Sequence, residues 1–280
     1  MKTVVITGGT DGIGRALALT HLERGEQVVI IGRSTDKARG IMEAAARLGA
    51  ADRIEFLQAD LGLVTENHRV LDRLRTAYPI VDILVLGARF YRSTRSATPE
   101  GFEASFALFY LSRHLLAYGL AGSLERAETP MIVDLSGPGG ELSRIRWDDL
   151  QFAKSYDPDA VMHQCGKLSD LLAVAFTEDH PRSRIRYLLL HPGLTATGFT
   201  GDYSATDRAL VEDMHRRGQP VEAAVARIMR HLDNPPTAPL SAYMQENAVD
   251  IEGAAFDPGA AQQLRDHTRE LLTTAGSANG

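Results

Sequence analysis

The 280-residue chain has a single cysteine, Cys165, so no internal disulfide can form. That fits a reducing compartment. It has no apolar run near the ~18 residues that a membrane-spanning helix needs. It has no excess of positive charge: 36 acidic residues against 30 basic ones give a net charge of −6. That removes the electrostatic reason to expect nucleic acid as a partner. The apolar stretch at the N-terminus, Met1 to Thr7, is too short for a signal peptide and runs straight into glycines. No histidine, cysteine or carboxylate spacing matches a metal-ligand pattern, so no metal is expected. The expectation is a soluble, cytoplasmic protein that handles small molecules, with no membrane and no nucleic acid partner.

What is present is a chain that can bury a full core, with 44% hydrophobic and 24% charged residues. Short β-branched runs alternate with helical segments. Strands are expected at Val4 to Thr7, Gln27 to Gly32, Ile54 to Gln58, Val81 to Leu86, Met131 to Ser136, Ile185 to Leu190 and Leu240 to Met244. Helices are expected at Ile13 to Arg24, Ala38 to Leu48, Glu66 to Ala77, Glu100 to Tyr118 and Ala160 to Glu178. Continuous apolar strands separated by helices predict an α/β, doubly wound fold with about seven parallel strands and helices on both faces. No linker divides the chain, so residues 1–274 read as a single domain and 275–280 as a frayed tail.

The first strand runs into Thr7-Gly8-Gly9-Thr10-Asp11-Gly12-Ile13-Gly14, and a helix opens directly after. Glycines there permit a tight turn and close approach of backbone to a pyrophosphate, and the helix N-terminus offers free N–H groups. The second strand ends at Arg33, where an acidic residue would accept from a ribose 2′-hydroxyl. A guanidinium suits a 2′-phosphate instead, so Arg33 points to NADP(H) over NAD(H).

These motifs resemble the short-chain dehydrogenase/reductase superfamily, a Rossmann fold. Thr7-Gly8-x-x-x-Gly12-x-Gly14 is similar to its glycine pattern, Asp60-Leu61 to its adenine contact, and His191-Pro192-Gly193 with Thr197 to its loop against the nicotinamide. Gly101-Phe102-Glu103, Trp147-Asp148-Asp149-Leu150 and Lys167-Leu168 resemble the retinol-dehydrogenase-like branch. The resemblance implies NADP(H) held by Thr7, Gly8, Thr10, Gly12, Ile13, Gly14, Arg33, Asp60, Leu61, Gly87, Lys167, Pro192, Gly193 and Thr197. It also leaves open a homodimer through the helices around 100–118 and 160–178.

The catalytic positions depart from the family. Its Tyr-x-x-x-Lys pair reads His163 and Lys167, and Tyr156 is eleven residues before that lysine. Its serine pair reads Ser136-Gly137, its helix asparagine falls on Phe109, and its Asn-Asn-Ala-Gly reads Leu86-Gly87-Ala88-Arg89. Candidate catalytic residues are therefore His163, Lys167 and Ser136. Three functions fit: an atypical NADP(H)-dependent oxidoreductase acting on a small carbonyl or alcohol; a non-redox cyclase, isomerase or dehydratase using His163 as general base; and an NADP-sensing protein without turnover. Arg89, Arg92, Arg95, Arg144 and Arg146 lie in loops at the sheet's carboxyl edge and suit a substrate carboxylate or phosphate.

Overall fold

The computed structural model describes residues 1–278. Seven strands run parallel in one sheet: β1 (Thr3–Thr7), β2 (Gln27–Gly32), β3 (Ile54–Gln58), β4 (Ile83–Leu86), β6 (Met131–Asp134), β7 (Arg186–His191) and β9 (Leu240–Met244). Their order is β9-β7-β6-β4-β1-β2-β3, and an antiparallel two-residue strand, β10 (Asn247–Ala248), adds an eighth at the β9 edge. Two further short strands, β5 (Tyr91–Arg92) and β8 (Gly201–Asp202), pair in parallel away from the main sheet.

Helices cover both faces. On one, α1 (Gly12–Glu23), α2 (Thr35–Arg47) and α8 (Val221–Asp233) pack Leu17, Ile41 and Ile228 onto Val4, Ile6, Val28 and Ile30. On the other, α3 (Val64–Ala77), α5 (Ser112–Leu124), α6 (Pro158–Asp179) and α9 (Pro258–Ala278) enclose Val5, Val29, Leu84 and Ile132. Successive strand residues therefore point into alternate cores, which is why these strands read as unbroken apolar runs.

The helix expected at 100–118 begins at Ala104 instead. The buried Glu103 carboxylate caps it, accepting from Ser105 N (2.9 Å) and Phe106 N (2.6 Å). A short α4 (Ala104–Phe106) leads into a π-helical turn, Ala107–Leu111, before α5. That turn contains Phe109, so the face of the helix shifts at the position where the family has its asparagine. Helix α7 (Ala205–Arg217), α8 and α9 extend the pattern beyond the sequence expectation. Helix α9 runs to Ala278, so 275–278 are helical rather than tail, and Asn279 and Gly280 lie outside the described residues. No helix among the described residues is long and apolar enough to cross a membrane.

Helix α9 lies along α6 and is tied down by its own polar contacts. Tyr110 Oη meets Thr268 Oγ1 at 2.5 Å, and Arg265 pairs with Asp179. The pairing face expected on α6 thus meets a helix of the same chain. Beneath it runs an aromatic file: His114 lies 4.7 Å from the Tyr118 ring, and Tyr118 5.3 Å from Phe176. Burial lowers the His114 pKa to about 4, against a weaker opposing effect from Asp179. The neutral form is therefore the folded form. The stability this gives is complete above the unfolded pKa of about 6.5 and is lost as pH falls toward 4. His114→Phe should remove roughly 3 kcal/mol of acid sensitivity across that window. Urea unfolding at a series of pH values checks this; an unchanged pH profile in the variant would refute it.

Candidate functional site

The site is built where β1, β4, β6 and β7 end on one edge of the sheet. Thr7 fixes the first two ends together. Its Oγ1 donates to Val85 O (3.2 Å) and accepts from Gly87 N (2.9 Å) and Ala88 N (3.1 Å). Thr7 is buried, so its hydroxyl is engaged with protein backbone rather than with a ligand. Gly8 follows with φ +71°, and a Cβ there would lie 2.9 Å from Gly87 O. Only glycine accepts both that backbone and that contact. A Cβ on Gly14 would lie 2.4 Å from Gly8 O, so the helix can close onto the turn only without a side chain.

The turn leads into α1, whose first-turn amides at Ile13 and Gly14 have no carbonyl one turn back to bond. Asp11 caps the helix, accepting from Gly12 N at 2.8 Å, and also pairs with Lys37. Thr10 packs against the end of β2, with Oγ1 3.0 Å from where a Gly32 Cβ would be. Thr197, from the loop after β7, lies over Gly12, its Cγ2 3.0 Å from a would-be Cβ. In the same loop, Gly193 has φ +97°, and the Pro192 carbonyl accepts from Gln219 Nε2 (2.6 Å) and Arg227 Nη1.

Arg33 leaves the end of β2 and lies over the Phe90 ring, 4.4 Å from its centroid, with Arg92 on the same ring at 4.7 Å. Asp60 approaches Arg33 to 3.8 Å and also accepts from Gly62 N (2.9 Å). Burial lowers the Arg92 pKa, and the neighbouring Arg33 charge lowers it further. Two guanidiniums thus share one aromatic ring at the expected 2′-phosphate position, and one of them, Arg33, lies near the Asp60 carboxylate. Leu61 contributes no side chain here: it is buried in the core, and its carbonyl accepts from Asn67 Nδ2 (2.8 Å).

The expected catalytic residues do not converge. Lys167 is 1% exposed, with Nζ donating to Asp170 Oδ2 (2.9 Å) and lying over the Phe256 ring at 4.8 Å. Its ammonium is locked into an i,i+3 pair inside the protein, whereas His163 on the preceding turn is exposed. Burial raises the Asp170 pKa to about 6 despite that lysine. His163 Nδ1 bonds the Asp159 carbonyl at 2.7 Å. A carbonyl only accepts, so Nδ1 carries the proton and Nε2 is the atom left for chemistry. The Ser136 hydroxyl is buried with no hydrogen-bond partner. Tyr156, outside α6, donates to Arg92 O at 3.0 Å. Phe109 is buried in the core, as is Cys165, whose thiol pKa burial pushes up.

Several site features were not read from the sequence. A second ion pair, Arg113 with Asp134, lies buried beneath the β6 end, and Arg113 also donates to Ser169 Oγ (3.1 Å). His191 stands beside Gly137: a Cβ on Gly137 would lie 3.9 Å from His191 Cδ2. His191 Nδ1 accepts from Gly193 N (3.2 Å), which leaves Nε2 protonated and free to donate. Burial, then Arg89 and Arg227, lower the His191 pKa. The β5–β8 pair, with Tyr91 stacked on Tyr203 at 5.1 Å, straps the loop after β4 to the loop after β7. Asp11 and Asp170 did carry signals: a cap residue directly before a helix, and a carboxylate three residues after Lys167. No group of three or more His, Cys, Asp or Glu among the described residues is arranged to hold a metal.

This turn, sheet order and strand-end loop set define a dinucleotide-binding Rossmann protein. Residues 2–148 match the family model for short chain dehydrogenases, and the chain belongs to that family. Two retinol dehydrogenases of Mus musculus are among its relatives. It is 30% identical over 181 residues to polyprenol dehydrogenase of Homo sapiens, covering 63% of this chain and 53% of that protein. It is 29% identical over 201 residues to retinol dehydrogenase 13 of Mus musculus, covering 70% and 59%. The chain therefore spans little more than half the length of these curated relatives. Among solved structures, the fold is shared with a short-chain dehydrogenase from Sphingobium yanoikuyae in complex with NADPH. The TM-score is 0.66 at 22% identity, covering 95% of this chain and 96% of that one.

Removing one partner of a buried ion pair leaves the other charge uncompensated, at a cost of about 3–5 kcal/mol. Lys167→Met should lose about that much stability, and Lys167→Met with Asp170→Leu should regain most of it. Urea unfolding of the three proteins measures this. Wild-type stability in the single variant would show that the pair is not structural.

Proposed function

We propose that the protein is an NADP(H)-dependent oxidoreductase of small-molecule carbonyls or alcohols, with a rebuilt catalytic centre. The observation that carries this is the phosphate cradle: a left-handed Gly8 packed against the β4 end, opening into α1, with Arg33 at the end of β2. The donor set fits the dinucleotide. First-turn amides of Ile13 and Gly14 would hold phosphate oxygens. Arg33, steadied by Phe90, would meet a 2′-phosphate, and Asp60 would lie on the adenine side. Pro192, Gly193 and Thr197 bring the loop after β7 over the turn. The bound nicotinamide supplies or accepts a hydride. NADPH in the Sphingobium yanoikuyae protein and NADP in one from Burkholderia cenocepacia J2315 support the same cofactor class here.

The chemistry at the substrate oxygen differs from the family pattern. Gly137 provides no hydroxyl, Phe109 no amide, and His163 stands where the family has tyrosine. In the neutral ring the Nδ1–H bond to Asp159 O leaves Nε2 as an acceptor, which suits proton abstraction rather than proton donation to a carbonyl oxygen. That same observation supports the second reading, a non-redox enzyme that uses His163 on a retained cofactor scaffold.

Calorimetric titration should give tighter binding of NADPH than NADH. Arg33→Ala should weaken NADPH roughly tenfold, the loss of a charge-assisted contact, and leave NADH nearly unchanged. Equal wild-type affinities would overturn the cofactor assignment. Substrate conversion with a change in nicotinamide absorbance supports the oxidoreductase; conversion without it supports the second reading. His163→Ala should lower turnover ~100- to 10,000-fold. Full activity in that variant would make His163 a bystander.

A further inference from the structure

The loop arginines at the carboxyl edge have different fates. Arg95 donates to Gln151 O (3.2 Å), and Arg146 donates to Ser155 O (3.0 Å) and lies over Phe152 at 4.5 Å. Arg89 and Arg144 are exposed. Arg92 stands against a second cation: its Cζ lies 4.7 Å from the centroid of the Phe90 ring, and the Arg33 Cζ lies 4.4 Å from the same point. The Arg92 backbone is fixed on both sides. Tyr91 N donates to Thr200 O (3.2 Å), Ser93 N to Asp202 O (2.9 Å), and Tyr156 Oη to Arg92 O (3.0 Å). A Cβ on Gly201 would lie 2.7 Å from Tyr91 O, so β5 and β8 come together only with glycine there. Arg92 is therefore half-buried and held in place before any ligand arrives.

The protein leaves most of the donors on these two guanidiniums unused. Among the described residues, Arg33 makes no side-chain hydrogen bond, and Arg92 makes one, from Nη1 to Phe90 O at 3.4 Å. Asp60 approaches Arg33 only to 3.8 Å and gives its Oδ1 to Gly62 N. Arg92 forms no ion pair among the described residues. Two like charges on one ring repel, and the ring face offsets only part of that. The ligand that relieves it best carries more than one negative charge and accepts from two forks at once. A carboxylate carries a single charge, whereas a phosphate monoester carries about −1.5 to −2 and three strong acceptor oxygens. Arg33 is exposed, so such a group can reach the pair from solvent.

We propose that Arg92 is a second specificity-determining residue for the cofactor, and that it and Arg33 clamp a phosphate monoester at the edge of the Phe90 ring. This rests on the reading of the glycine turn as an NADP(H) site and identifies the monoester as the 2′-phosphate. Arg92 belongs to the strap, whose other strand, β8, lies in the loop after β7. Recognition of the 2′-phosphate is thus tied to the same loop that sets Thr197 over Gly12.

The test uses probes that need no turnover: 2′,5′-ADP and 5′-AMP, which differ only in the 2′-phosphate, and inorganic phosphate, each titrated by calorimetry. Wild type should bind 2′,5′-ADP about a hundredfold more tightly than 5′-AMP, roughly tenfold from each guanidinium. Arg92→Met should cut that ratio to about tenfold by weakening 2′,5′-ADP, with 5′-AMP binding unchanged to within about twofold. Arg92→Lys should keep more of the ratio than Arg92→Met, and Arg33→Ala with Arg92→Met should abolish it. Unchanged 5′-AMP binding shows that the variants are folded. A wild-type ratio in Arg92→Met, with a lowered ratio in Arg33→Ala, overturns the proposal and leaves the NADP(H) reading standing. Equal binding of the two nucleotides to wild type, or no binding of 2′,5′-ADP at millimolar concentration, overturns both. Loss of both nucleotides in Arg92→Met and in Arg92→Lys makes Arg92 a structural residue and overturns the proposal. Inorganic phosphate that binds as tightly as 2′,5′-ADP does so too, because the pair would then serve the free anion.

Discussion

The hydroxyl of Thr7 carries the geometry of this site. By bonding the backbone of Val85, Gly87 and Ala88, it holds the ends of β1 and β4 at one separation. That separation brings Gly8 so near Gly87 O that no side chain fits, and it sets where α1 begins. The place of the Phe90 ring, against which Arg33 and Arg92 lie, follows from where the β4 strand ends. A resemblance makes Thr7 a cofactor contact; the packing makes it the pin that gives the cofactor site its shape.

Charge beneath the site is organised by the same need to satisfy buried groups. Asp134 and Asp170 are both fully buried, and each has one cationic partner close by. Burial pushes both carboxyl pKa values up while the partner opposes it. Pairing Lys167 with Asp170 withdraws the family's most recognisable catalytic lysine from the cleft.

The strap formed by β5 and β8 joins loops that the sheet alone would leave independent. Arg92 is set in that strap, with its carbonyl held by Tyr156, so its guanidinium reaches Phe90 from a fixed backbone. Asp11 bonds Lys37 and Thr200 from the other side. The loop after β7 is therefore tied to both α2 and the loop after β4, across the mouth of the cleft.

The strands and most helices were legible because their causes are local. Parallel strands buried on both faces read as apolar runs, and the glycine turn reads as a turn because only glycine tolerates its backbone. The α8 stripe of Val221, Ala224, Val225, Ile228 and Leu232 has helical spacing and was equally readable, though it was not picked out. The π-turn around Phe109 was not legible, because it depends on how the helix packs rather than on its own residues. Sequence alone determined the family, the fold and the glycine turn into α1, since each follows from spacing along the chain. Only the tertiary structure decided that Lys167 turns to Asp170, that Arg113 reaches Asp134, and that His191 stands beside Gly137. Those outcomes depend on which groups the fold brings against each buried charge, and Arg113 and Asp134, or His191 and Gly137, lie on different elements.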